Sequence, residues 1–277
     1  MRKIYILLFS MLAVMMAMGG CKGKDSPATP GEATAVVHDE IEIKGDSMIY
    51  GLSCDGTSDS VVVIWPFSGD PLTLNTIDAK AQGRIIGKPQ IGDWIGVIRN
   101  PADSSEATMV INLDQLKGTW TYPVLPVMKD LQSMSLRMQK RMMAAVHDSI
   151  KQEYFIPREY GFTLKRGHQA TPVGRIMRSH SLEDDSPVVY PEVKNYKGWH
   201  MLNGRLILVS GSIILPGMKV QAKHEPDVLD TLDFVSMDDD SLVLVNKGIR
   251  YGFHRKLNAS EANAEAMKAQ ARHDSKK

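Results

Sequence analysis

Apolar and polar positions alternate in three different ways along this chain. Ile4 to Met18 is an almost unbroken apolar run behind Arg2 and Lys3. From Asp39 onward, apolar residues come in short β-branched and aromatic runs broken by turn dipeptides, the pattern of strands. Between Pro126 and Tyr154 the period lengthens to three and four, which predicts a helix.

The stretch from Asp39 to Leu113 predicts five or six strands and no convincing helix. They are Ser47–Ser53, Ser60–Trp65, Leu72–Thr76, Gly83–Ile86, Trp94–Ile98 and Thr108–Leu113. Asp55-Gly56, Lys88-Pro89 and Asn100-Pro101 punctuate them. A second series of eight strands follows: Gly118–Val124, Gly161–Lys165, Gln169–Arg175, Tyr196–Leu202, Gly204–Ser210, Leu229–Val235, Ser241–Val245 and Ile249–His254. Its connections are tight, and Asn203-Gly204 is the strongest short hairpin signal among them. Sequential hairpins predict an up-and-down antiparallel meander, which closes and so removes its edges. Bulky inward positions such as Phe162, Leu206 and Leu208 lean toward a filled interior, and eight strands leave room for side chains or one small ligand.

The fold class expected is therefore all-β, with two small antiparallel barrel or sandwich domains and a helix inserted in the second. The predicted divisions are a signal at 1–20, a tether at 21–38, a first domain at 39–114 and a second at 115–256. The helical insertion spans about 127–152 and a mobile or helical tail spans 257–277. Leu131, Met134, Met138, Met142, Ala145 and Val146 fall on one face of the inserted helix, and Met-rich faces recur at adaptable binding surfaces. The insertion is a candidate lid, with Met134, Met138, Met142 and the strand residue Trp199 as candidate ligand contacts. The favoured alternative has the helix packed on the barrel wall or the first domain. Trp65, Trp94 and Tyr50 are expected in the core rather than on a binding platform.

The apolar run at the start is too short for a membrane span, which needs about 20 residues. Its cationic start and small-residue end match a removable signal. Met18-Gly19-Gly20-Cys21 resembles the lipobox of bacterial lipoproteins, with Met18 in place of the usual Leu. That resemblance implies diacylglycerol on the sulfur of Cys21, cleavage before it, and acylation of the new amine. Three acyl chains would hold the protein stably on a membrane. Lys22 begins a Gly-, Pro- and small-residue tether with little to pack. The resemblance places the anchor in the outer membrane and leaves the face open.

Ile91 to Ile98 resembles the Gly-Asp turn entering a strand of OB and SH3-like barrels. From Leu116 to Arg255, about half the chain, Gly118-Thr-Trp120, Gly161-Phe-Thr-Leu164, the Trp199 strand and the Asn203-Gly204 hairpin into Leu206-Ile-Leu208 recur in order. Together with Asp230-Thr-Leu232, this order resembles the small lipocalin-like domains of Bacteroidota lipoproteins. The resemblance implies a lipid-anchored, non-enzymatic barrel in which Trp120 plugs the closed end.

Charge and chemistry narrow the function. The chain carries 33 basic and 32 acidic residues; without Arg2 and Lys3 the formal charge is near −1. That is not the clustered basic excess of nucleic-acid binders. Apart from Cys21 only Cys54 is a thiol, so neither an internal disulfide nor a Cys-x-x-Cys pair is available. His180, His200 and His224 lack metal-ligand spacing, and Glu183-Asp-Asp185 lacks the alternation and Gly of a calcium loop. No nucleophile elbow, His-Glu-x-x-His or phosphate loop occurs. No cofactor or catalytic residue is expected. Asp-Ser/Thr-apolar triplets such as Asp46-Ser-Met48 resemble O-glycan acceptors of Bacteroidota. Two function classes remain: a carrier or sensor of a small apolar or amphipathic ligand, and an envelope scaffold with filled barrels that binds a protein partner.

Overall fold

The computed structural model describes residues 44–131, 133–148, 151, 154–175, 187–211, 227–264, 266–268 and 271. The signal, Cys21 and the tether lie outside these residues, as do His180, Glu183, Asp184, Asp185 and His224. Among the described residues, no helix is long and apolar enough to cross a membrane.

The first unit holds β1 (Met48–Ser53), β2 (Val61–Pro66), β3 (Leu72–Asn75), helix α1 (Ile77–Ala81), β4 (Ile85–Ile86), β5 (Trp94–Arg99), β6 (Ala107–Asn112) and helix α2 (Leu113–Leu116). Its strand order is β3-β2-β1-β5-β6-β4, antiparallel except where β4 runs parallel to β6. A parallel bridge between Asn75 and Glu106, with Asn75 N donating to Ser105 O at 2.9 Å, joins the β3 edge to the start of β6. The sheet thereby curls around Val62, Ile64, Leu74, Ile95, Val97 and Val110. The two short helices were not legible. α2 exists because Asn112 Oδ1 accepts from Gln115 N at 2.9 Å, a cap that offsets an otherwise marginal length.

The second unit contains β7 (Gly118–Val124), β8 (Val127–Met128), helix α3 (Leu136–Ala145), β9 (Arg158–Leu164), β10 (Ala170–Val173), β11 (Val188–Val189), β12 (Tyr196–Leu202), β13 (Arg205–Ser210), β14 (Val228–Met237), β15 (Ser241–Asn246) and β16 (Ile249–Lys256). Eight of these form one antiparallel sheet in the order β10-β9-β7-β16-β15-β14-β13-β12, the meander expected, while β8 and β11 pair separately. The outer strands meet at an antiparallel bridge between Gln169 and Gly198, and Trp199 N donates to His168 O at 2.8 Å. β10 is four residues and β12 seven, so this seam closes only one end of the barrel.

The closed end is packed solid. Trp120 is fully buried and its indole N–H donates to Leu116 O at 2.8 Å. Arg255 lies over the ring at 4.1 Å and donates to the carbonyls of Asp239, Lys117 and Gln115. The first unit docks on this end. One hydrophobic core runs from Met48, Trp94, Met109 and Ile111 into Trp120, Trp199, Leu206 and Met237. β5 and β6 therefore bury both faces, which is why they read as nearly continuous apolar runs. The Asn203-Gly204 turn is gripped directly: Asn203 Oδ1 accepts from Ser47 N and Oγ at 2.8 Å each, and Asn203 N donates to Asp46 Oδ1 at 2.9 Å. Residues Glu40–Lys277 accordingly form one compact unit.

Two expectations change. The insertion is broken into β8, a 3₁₀ turn at Lys129–Leu131 and α3, and no residue of α3 is buried. Its Met138 and Met142 are about half exposed. Part of the tail is docked: Asn263 donates through Nδ2 to Glu159 O at 2.9 Å and accepts from Glu159 N at 2.6 Å, with Ala262 and Ala266 buried.

Candidate functional site

Alternation along the strands decides what faces the barrel axis. At the open end, inward positions carry Tyr122 of β7, Tyr160 and Phe162 of β9, Tyr196 of β12, Leu208 of β13, Leu232 of β14 and Tyr251 and Phe253 of β16. These surround a cavity of about 220 Å³. Their rings meet edge-on: Tyr122 lies 5.2 Å from Phe253 and 5.5 Å from Tyr251, and Phe162 lies 5.8 Å from Tyr196, all near perpendicular. Such packing holds the rings in fixed positions. Burial pushes the phenols of Tyr196 and Tyr122 upward, Asp230 adding to the first and Tyr251 to the second. Both stay protonated at neutral pH and keep an O–H to donate.

The strap from Val188 to Asn195 covers this mouth. Pro191 to Lys194 line the cavity. Val188 and Val189 of β11 pair with Met128 and Val127 of β8, and Tyr190 Oη donates to Ile156 O at 2.6 Å. Lys194 Nζ donates to Asp230 at 2.6 Å. Asp230 is an inward, buried carboxylate of β14, so it needs this partner.

Met134, Met138 and Met142 are 40%, 46% and 45% exposed and line none of the cavities described here. Trp199 is buried at the closed end, its indole N–H donating to Lys165 O at 2.9 Å and its ring 6.3 Å from Trp94. It is part of the plug between the units and does not face the tyrosine cavity. Trp94 is buried and Tyr50 half-buried, but Trp65 is 57% exposed beside its cross-strand neighbour Leu52. Cys54 is a half-buried free thiol. Among the described residues, no three His, Cys, Asp or Glu side chains gather to hold a metal. The cluster that sequence reasoning missed is the tyrosines. Tyr122, Tyr196 and Tyr251 occupy inward positions of strands as predicted, Tyr160 lies one residue before the predicted start of β9, and the signal was their shared alternation with Phe162 and Phe253.

This chain resembles one solved lipocalin-like protein. That protein comes from Bacteroides thetaiotaomicron VPI-5482; identity is 19%, the match covers 50% of this chain and 94% of the other, and the TM-score is 0.26. No family model and no curated protein matches the chain.

Proposed function

We propose that this protein is a lipid-anchored lipoprotein of the outer membrane, held through Cys21, whose lipocalin-like barrel takes up a small apolar or amphipathic ligand without catalysis. The observation that carries this is the asymmetry of the barrel: one end is filled by Trp120 and Trp199, the other keeps a tyrosine-lined cavity under a strap. The first unit fits an OB-like reading, because β1-β2-β3 form a meander, α1 follows β3, and β1 pairs with β5. The parallel bridge from Asn75 to Glu106 closes that circuit.

Native mass spectrometry after detergent-free purification tests the carrier. An added small-molecule mass lost on denaturation is expected; a bare polypeptide, with no thermal shift from fatty acids or bile salts, would sink it. Labelling with an alkyne fatty acid tests the anchor, since Cys21→Ser must abolish incorporation.

Two observations favour the alternative, a partner-binding envelope scaffold. The cavity is below the roughly 300–1,000 Å³ of ordinary ligand sites. The methionine face of α3 is also exposed in the way adaptable protein-binding surfaces are.

A further inference from the structure

Beside the tyrosine cavity lies a second recess of about 530 Å³. The two share Tyr160, Pro191, Glu192 and Val193, so the strap and the Tyr160 ring separate them. Among the described residues, the recess carries Lys129, Arg158 and Arg175 against one carboxylate, that of Glu192. Arg175 already donates to Asn195 Oδ1 at 2.7 Å.

Arg158 is the unusual member. It opens β9 opposite Val124 and stands on the same inward face as Tyr160 and Phe162, one step nearer the rim. Its side chain is 8% exposed, and its buried Nη2 has no hydrogen-bond partner among the described residues. No carboxylate among those residues forms an ion pair with it. The guanidinium carbon lies 3.5 Å from the centre of the Tyr190 ring, a contact that compensates part of the lost hydration but satisfies no N–H. A guanidinium buried without an anion is costly, and an arriving carboxylate or phosphate oxygen removes that cost.

We propose that this recess receives the anionic head of a short amphiphile, a carboxylate or a phosphate ester, while the apolar part lies among the tyrosines. The inference rests on the ligand-binding reading above and names the ligand class. Arg158 supplies a planar fork matched to either head group. The cavity, equivalent to roughly seven waters at about 30 Å³ each, limits the tail to a short chain or a single ring. Tyr190 of the strap lies over the guanidinium, so entry requires the strap to lift; its ties include the two-rung ladder to β8, the half-exposed Lys194–Asp230 pair, the Tyr190 hydroxyl and the bonds of Asn195 to Arg175 and Gly211.

Titration calorimetry of the full chain with octanoate, octyl phosphate and 1-octanol decides the matter. At least one anion should bind about ten- to a hundredfold tighter than the alcohol, and which one identifies the head group. In Arg158→Gln that preference should vanish while 1-octanol affinity is unchanged. The head-group comparison in the unmodified protein needs no variant, so it stands even if Arg158→Gln folds poorly. Equal binding of all three overturns the anion site and leaves the cavity intact, as it would if the chain's own acidic residues neutralised Arg158. Preference retained in a folded Arg158→Gln overturns the role of Arg158. If none of the three binds, both the anion site and the ligand-binding reading fail.

Discussion

Arg255 shows how much one side chain can hold. It covers Trp120 and donates to the carbonyls of Gln115 and Lys117, where α2 runs into β7, and to that of Asp239 in the β14–β15 turn, tying three segments together. Arg255→Ala should cost about 2–4 kcal/mol in urea unfolding, and Arg255→Lys should recover less than half because the compact ammonium cannot span carbonyls that three separate guanidinium nitrogens reach. Trp199 separates a structural from a ligand role. Trp199→Phe leaves the carbonyl of Lys165 without its donor and should cost about 1–2 kcal/mol. Octanoate affinity should not change, because the ring lies in the plug. A tenfold weakening of octanoate in a folded Trp199→Phe would contradict that placement.

At the level of elements, the β alternation carried most of the fold. All eight barrel strands were legible because each buries one face and all but β7 end near a Gly, Asn or Asp, as at Asn203-Gly204 and Lys247-Gly248. The strap was not legible, since Val188-Val-Tyr-Pro191 is too short to show a period and owes its place to Asp230 and Ile156, distant in sequence. The methionine stripe shows the limit of periodicity. Its spacing is truly helical, yet periodicity reports an amphipathic face and not what covers it. The tyrosine cavity was half legible: the strands were placed, but which inward rings leave a gap depends on packing. Lys194→Ala should leave Asp230 buried and unpaired, freeing the strap at a modest cost of about 1–2 kcal/mol because Lys194 is half exposed. Hydrogen exchange at Val188 and Val189 should then rise well above that of β13, which loses nothing.

Over the whole molecule, two units that look separable in sequence share one core, and the Asn203-Gly204 turn is the clasp. Gly204 has φ +77°, and an added Cβ would meet Met109 Sδ at 2.6 Å and Ile98 Cδ1 at 3.0 Å. Gly204→Ala should therefore destabilise by about 2–4 kcal/mol, and unfolding of the unmodified chain should be one transition seen alike by probes in both sheets. The same interface contains His168 and His200, which sets a pH dependence. Burial lowers the pKa of both imidazoles below the usual 6.5. For His200 the neighbouring His168 lowers it further, while Asp46 opposes. Between those lowered values and 6.5 the unfolded chain binds more protons than the folded one, so stability rises with pH through that window. Acidification below 6.5 should lower the urea midpoint until the folded imidazoles themselves titrate, after which this contribution levels off. The double variant His168→Gln, His200→Gln should flatten the slope between about pH 5 and pH 7 and leave the carboxylate-driven loss below about pH 4 in place. An unchanged slope would mean that acid loosens the protein somewhere other than the clasp.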